Sequence, residues 1–211
     1  NKFWRNIVFY GGRYSAKSYH IALSLLISGA QKKFRILCTR EIQNTIRDSV
    51  HKLLMDQIEN YKMPGFKITY DSICHRNGTE FIFKGLYRNT DGIKSLEGID
   101  KVWVEEAQKV SDVSFDTLIP TIRKPGSQII LSFNRLKKED PVYERFVKHP
   151  PPKTYSAFYN YDILNGTGLL SDVILAEIKH CSRTKPELFK HIYLGEPRRT
   201  NESMIIRTEF F

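Results

Sequence analysis

Residues 7–28 constrain this chain more than any others. An apolar run, Ile7-Val8-Phe9-Tyr10, leads straight into Gly11-Gly12-Arg13-Tyr14-Ser15-Ala16-Lys17-Ser18. Ile21, Ala22, Leu25 and Leu26 follow at helical spacing and predict a helix over 17–28, closed by Gly29. A buried strand that turns directly into a helix is the setting of a phosphate-binding loop. The helix start offers unpaired N–H groups and the positive end of a dipole, and glycines let the backbone curl around phosphates. Lys17 would reach the β- and γ-phosphates and the Ser18 hydroxyl would hold Mg²⁺. Ala16 stands where the loop template has its second glycine, so it is expected to keep a negative φ.

Hydrophobic residues at 41% and charged residues at 27% are ordinary globular usage, enough for one large domain or a domain with appendages. No run approaches the ~18 apolar residues of a membrane helix. No cleavable apolar leader opens the chain, and its first residue is Asn1, which suits a piece of a longer protein. The net charge of +10 favours a polyanionic partner. That charge is spread through Lys32-Lys33, Arg123-Lys124, Lys137-Lys138 and Arg198-Arg199 rather than gathered in one block. Cys38, Cys74 and Cys181 are scattered singly and read as buried, reduced thiols of a cytosolic protein, and the six histidines form no metal pattern.

Phe3, Trp4 and Arg5 either pack at the domain start or edge an adenine ring. Residues 34–38 read as a second buried strand, and Ile42, Ile46, Val50, Leu53, Leu54 and Ile58 form one helical stripe over 41–60. Arg40 and Arg47 flank that stripe as residues that would face a partner. Strands at 66–70, 73–75 and 79–83, the last two joined by Arg76-Asn77-Gly78, predict a small antiparallel element. Residues 88–98 read as a surface loop.

An apolar strand over 99–104 then ends in Glu105-Glu106. Phosphoryl transfer to water uses a carboxylate to hold the metal and another to orient and deprotonate water. Adjacent residues on a strand point to opposite sides, so the strand must end there for both acids to reach one site. The plainer alternative is the charged start of a helix.

Ser111 predicts an N-cap for a helix to about 123. The strand over 127–134 ends in polar residues, where open α/β sheets bind ligands. Ser132 or Asn134 is thus a candidate to sense the terminal phosphate or the attacking water, with plain strand termination as the alternative. Residues 150–152 form a stiff connector and 154–159 a last strand. A turn at 165–168 feeds a helix from Ser171. Thr184-Lys185-Pro186-Glu187 reads as a capping box opening a helix that ends near Gly195.

These pieces together resemble the ATPase (motor) part of the large terminase subunit of tailed bacteriophages. The resemblance rests on the Walker A segment Tyr10 to Ser18 with its internal arginine and on Lys94-Ser95-Leu96-Glu97-Gly98-Ile99. It continues in the Walker B end Trp103-Val104-Glu105-Glu106-Ala107, the coupling motif Ser132-Phe133-Asn134, and Ile192-Tyr193-Leu194-Gly195-Glu196. It implies a three-layer α/β P-loop NTPase of the ASCE type, with a mostly parallel sheet and an antiparallel hairpin extension. Residues 1–197 would be the ATPase domain and 198–211 a linker toward a C-terminal nuclease domain. The nuclease's acidic cluster has no room here, so no nuclease activity is expected of these residues.

By the same resemblance, Gly11, Gly12, Arg13, Tyr14, Ser15, Ala16, Lys17 and Ser18 would bind ATP. Glu106, Lys17 and Arg13 would be catalytic, Ser18 and Glu105 would hold Mg²⁺, and Ser132, Phe133 and Asn134 would couple hydrolysis to movement. An arginine finger would come from Arg13 or from Arg88, Arg123 or Arg135 of a neighbour. The implied partners are double-stranded DNA, a portal ring and a small terminase subunit, with the chain in a ring on the portal or a monomer in isolation. The implied place is the host cytoplasm and transiently the procapsid portal, with no membrane. Arg135 where many relatives carry proline, Asn165-Gly166 in place of Asn-Pro, and Ala16 depart from the family pattern. The competing readings are a helicase-like motor, whose further motifs are not found, and a non-catalytic DNA- or scaffold-binding module with a degenerate loop.

Overall fold

A computed structural model of the protein describes residues 3–43 and 46–198. The chain runs β1 (Asn6–Gly11), α1 (Lys17–Gln31) and β2 (Arg35–Arg40). Next come α2, a π turn over Arg47–His51 continuing as α-helix over Lys52–Asn60, then β3 (Phe66–Ile68), β4 (Ser72–His75) and β5 (Glu80–Gly85). After these lie α3 (Thr90–Lys94), β6 (Lys101–Glu105), α4 (Asp112–Thr121) and β7 (Gln128–Phe133). The last elements are α5, Pro141–Tyr143 running into a π turn over Glu144–Lys148, then β8 (Thr154–Tyr159), α6 (Asp172–Thr184) and α7 (Pro186–Ile192).

One eight-stranded sheet has the order β3-β4-β5-β2-β6-β7-β1-β8. From β5 to β8 every pair is parallel, and only β3 and β4 are antiparallel, so the hairpin is an extension of one edge. Val8, Val102, Val104 and Leu131 face one side, packed with Phe115, Leu118 and Phe146 of α4 and α5. Ile36, Cys38, Trp103 and Ile130 face the other, packed with Leu25, Leu26, Val50 and Leu54 of α1 and α2. Helices on both faces make this the three-layer α/β sheet that strands buried on both sides require. Because β6, β7 and β1 are parallel neighbours, their C-terminal ends share one edge of the sheet.

The structure corrects several local expectations. The helix α1 passes through Gly29 to Gln31. A Cβ on Gly29 would lie 3.0 Å from Thr79 Cγ2, so the glycine serves close packing on β5 and not a helix stop. Ile42 leaves the apolar stripe and is 55% exposed, because helix starts only beyond it. The expected loop at 88–98 contains α3 and buries Ile93 and, just beyond, Ile99 in the core. Thr184 caps nothing: its hydroxyl donates to His180 O at 2.9 Å within α6, and α7 starts at Pro186 without a side-chain cap. Ser111 does cap α4, accepting from the Ser114 N–H at 3.2 Å.

Of the cysteines, Cys38 is buried with its thiol pKa pushed up by desolvation, but Cys74 is exposed. All three are free. Among the described residues no helix is long and apolar enough to cross a membrane. Except for Arg198, the expected linker at 198–211 lies outside the described residues.

Candidate active site

The first strand delivers Gly11 and Gly12 to the ligand-binding edge of the sheet. An added Cβ would meet Tyr159 O at 1.7 Å from Gly11 and Tyr193 O at 1.9 Å from Gly12. These glycines therefore let the chain's own later segments close over the loop, beyond any curl around phosphate. The Gly12 N–H donates to Tyr159 O and the Arg13 N–H to Ile192 O, and Tyr14 stacks on Tyr193 at 6.0 Å. So the end of α7, quoted in the family resemblance, is a wall of the phosphate loop.

Ala16 holds φ 53°, overturning the expected negative φ. The loop must swing its chain into α1 through a left-handed residue, and that conformation costs a non-glycine residue about 1–2 kcal/mol. Tyr14 also has φ 56°, so two of the loop's residues sit in strained backbone.

A cleft of about 320 Å³ opens above this loop, lined by residues 12–19, by Glu105, Glu106 and Gln108, and by Ser132, Phe133 and Asn134. Lys17 Nζ donates to Gly12 O at 2.6 Å, Ser15 Oγ at 2.7 Å and Asn134 Oδ1 at 2.9 Å. Burial lowers its pKa to about 8, against a raising pull from Glu105. Ser18 Oγ donates to Glu105 Oε1 at 3.4 Å. Burial raises Glu105 to about 7, and Arg40 only partly opposes it. The strand β6 stops at Glu105, and Glu106 turns left-handed at φ 51°. That turn brings both carboxylates onto one guanidinium: Arg40 Nε lies 3.0 Å from Glu105 Oε2, and Arg40 Nη2 contacts Glu106 Oε2. Lys109 Nζ reaches the same Glu106 oxygen at 2.7 Å. Burial pushes Glu106 up, but Lys109 and Arg40 outweigh it and its pKa falls.

Gly12, Lys17, Ser18, Glu105, Glu106 and Asn134 thus meet as expected, and Arg13 stands exposed at the rim. Ser132 borders the cleft but its hydroxyl is committed elsewhere, accepting from Trp103 Nε1 at 2.8 Å in the buried sheet. Phe133 stacks on Tyr10 at 5.6 Å. Arg88, Arg123 and Arg135 line no part of this cleft; they engage Tyr87, Glu97 and Tyr143 respectively. Trp4 and Arg5 sit at the opposite end of β1. Arg5 Nη1 donates to Ser127 Oγ at 2.6 Å and Trp4 lies against Tyr155, which settles them as packing residues.

Sequence reasoning missed Arg40 as a site residue, along with Gln108 and Lys109. The available signal for Arg40 was a charged residue at the C-terminal end of an otherwise apolar strand.

A hard cation would find oxygen donors here. Glu105 Oε2 is paired with Arg40 Nε at 3.0 Å, and Glu105 Oε1 faces the Ser18 hydroxyl. Among the described residues no group of three or more His, Cys, Asp or Glu forms a complete metal cage. One carboxylate and one hydroxyl suit Mg²⁺, which completes its shell with water and substrate phosphates.

A parallel sheet with a phosphate loop on one strand and paired acids two strands away defines a P-loop NTPase. Residues 4–196 match the family model described as phage terminase large subunit, and the chain belongs to that family. It is 24% identical over 201 residues to the PBSX phage terminase large subunit of Bacillus subtilis (strain 168), covering 85% of this chain and 46% of that protein. The fold matches the large terminase of a thermophilic bacteriophage in complex with ATP-gamma-S, with TM-score 0.71, 12% identity, and 92% and 47% coverage. It also matches the Thermus phage P74-26 large terminase ATPase domain, with TM-score 0.60, 14% identity, and 90% and 87% coverage. The chain therefore spans about half the length of the curated relative and nearly all of an isolated ATPase domain.

Proposed function

We propose that this chain is the ATP-hydrolysing motor part of a terminase large subunit, driving double-stranded DNA into a procapsid. The observation that carries the proposal is the meeting of Lys17, Asn134, Ser18 and the Glu105–Glu106 pair in one cleft. In this reading the α1 amides and Lys17 bind the phosphates, with Arg13 closing from the rim. Ser18 and Glu105 would hold Mg²⁺, which when bound neutralises charge on the β- and γ-phosphates. Glu106 orients a water and accepts its proton. The water oxygen bonds to the γ-phosphorus as the bond to the β–γ bridging oxygen breaks, leaving ADP and phosphate.

Asn134 follows β7, which lies between the acid-bearing β6 and β1, the strand that leads into the Lys17 loop. Phosphate arriving at Lys17 must compete with Asn134 Oδ1, so occupancy of the cleft is felt at the end of β7. That is the physical basis for giving the segment Ser132 to Asn134 a coupling role.

DNA would be held mainly through its phosphates, in keeping with the +10 charge and with transport of any sequence. A portal ring, a small terminase subunit, a ring of chains and a linked nuclease region complete the proposal, set in the host cytoplasm and at the procapsid. Cutting of DNA is not assigned to these residues.

The test is Mg·ATP binding and turnover by the purified chain, beside Lys17→Ala. At least tenfold weaker binding in the variant is expected. An unaltered dissociation constant would remove the lysine, and with it the site.

A further inference from the structure

Beyond Glu106 the chain makes a 3₁₀ turn over Ala107–Lys109, entered through the left-handed φ of 51° at Glu106. Such a turn has three residues per revolution, so its side chains point about 120° apart. Ala107 enters the core and is fully buried. Lys109 returns to Glu106 Oε2 at 2.7 Å. Gln108 is left to line the phosphate cleft with Glu105, Glu106 and Asn134. Its Oε1 is buried and accepts no hydrogen bond from the described residues. An amide oxygen in that position is an acceptor available to an O–H or N–H entering the cleft. Glu41 and Gln57 also carry such an oxygen, but neither lines the cleft, and each engages its other polar atom in the fold. Glu41 Oε1 accepts from the Ser111 and Ser114 hydroxyls, and Gln57 Nε2 donates to Tyr19 O at 2.8 Å.

We infer that Gln108 is a further catalytic residue, whose Oε1 accepts one O–H of the attacking water while Glu106 accepts the other. The inference rests on the ATPase reading and deepens it. Water attacks phosphorus through a lone pair, so both of its O–H bonds must point elsewhere. Two acceptors fix that orientation, and one leaves the water free to rotate. Arg40 and Lys109 both sit on Glu106 Oε2, which leaves Glu106 Oε1 for the water. Ser132 and Asn134, the other polar side chains considered for this water, are committed: Ser132 Oγ accepts from Trp103 Nε1, and Asn134 Oδ1 accepts from Lys17. As the water oxygen bonds to the γ-phosphorus, the β–γ bridging oxygen leaves with its electron pair on ADP. Glu106 takes one proton of the water, and the one held by Gln108 stays on the new phosphate. Gln108 therefore positions without changing charge, as glutamines that orient the attacking water do in other P-loop enzymes.

The experiment measures single-turnover hydrolysis and the dissociation constant of Mg·ATP for wild type, Gln108→Met, Gln108→Glu, Glu106→Gln, and Gln108→Met combined with Glu106→Gln. Gln108→Met keeps the side-chain length and removes the acceptor. It should hydrolyse at least tenfold more slowly with Mg·ATP affinity unchanged. Its urea midpoint should hold or rise, since an apolar group of similar shape relieves the unpaired oxygen. Gln108→Glu, which keeps an acceptor oxygen, should be at least threefold faster than Gln108→Met. In the Glu106→Gln background, Gln108→Met should cost less than threefold, because residues that act as a unit are not additive. Hydrolysis by Gln108→Met at the wild-type rate would overturn the inference. A slower rate accompanied by weaker nucleotide binding or a lower urea midpoint would make Gln108 a structural residue and overturn it too. So would a full tenfold loss on top of Glu106→Gln, which would put Gln108 in a separate step. Failure of wild type to hydrolyse ATP at all would instead sink the ATPase reading itself.

Discussion

Lys17 and Glu106 face the same cleft but are held in opposite ways. The lysine ammonium touches three neutral acceptors, Gly12 O, Ser15 Oγ and Asn134 Oδ1. The glutamate carries two cations, Arg40 and Lys109, on a single carboxylate oxygen. Neutral acceptors share a charge without cancelling it, so Lys17 keeps its attraction for an arriving phosphate. Two cations on one oxygen draw the proton affinity of Glu106 down, so its strength as a base depends on how those cations are arranged. In the proposed reading, nucleotide capture needs no rearrangement of charge around Lys17, whereas the hydrolytic step would be tied to a charge network reaching back to β2 through Arg40.

That contrast can be broken most severely at the glutamate. Glu106→Gln should keep Mg·ATP affinity and lower kcat by about 10²–10⁴, the usual worth of a general base. Single-turnover hydrolysis at the wild-type rate would remove Glu106 from the chemistry. Next in size is Arg40→Ala, which strips Glu105 of its ion-pair partner and leaves Glu106 with Lys109. Stripping one partner from a buried pair costs roughly 3–5 kcal/mol, read as a lower urea midpoint. Arg40→Lys should restore part of this, and a midpoint unmoved by either change would make the network ornamental.

The pH dependence separates the two holders. Glu105, raised to about 7, carries a proton below that pH which metal binding must expel. Lys17, lowered to about 8, is neutral above that pH and must regain a proton to meet phosphate. Mg·ATP affinity should peak between these values and fall toward about tenfold per pH unit on each side. A flat profile from pH 6 to 9 would contradict both shifts. The smallest effect belongs to the loop backbone. Ala16→Gly relieves the left-handed strain but adds freedom to the unfolded chain, for a net gain of about 1 kcal/mol or less in thermal unfolding. A loss of stability there would mean that the methyl group packs usefully.

Much of this was legible because the signals are local. Strand, glycines, Lys17-Ser18 and helix lie within one short stretch, and the hydrophobic run ending at Glu105-Glu106 announces a strand stop. The misreadings came where two distant segments meet. Gly29 looks like a helix stop until Thr79 is seen beside it. The glycines at 11 and 12 look like phosphate curls until Tyr159 and Tyr193 are found on them. Arg40 reads as a residue that would face a partner because nothing near it in sequence says that Glu105 and Glu106 will arrive across a strand boundary.

By itself, the order of residues determined the parallel sheet, the place of the loop between strand and helix, and the paired acids at a strand end, since each follows from periodicity and nearest neighbours along the chain. Only the tertiary structure decided which charges share an oxygen, which hydroxyls are already committed, and which buried amide oxygen is left unpaired beside the cleft. Those outcomes depend on the strand order β2-β6-β7-β1-β8 and on helices that cover part of a sheet face. Contacts of that kind join residues far apart in the chain, and no local pattern encodes them.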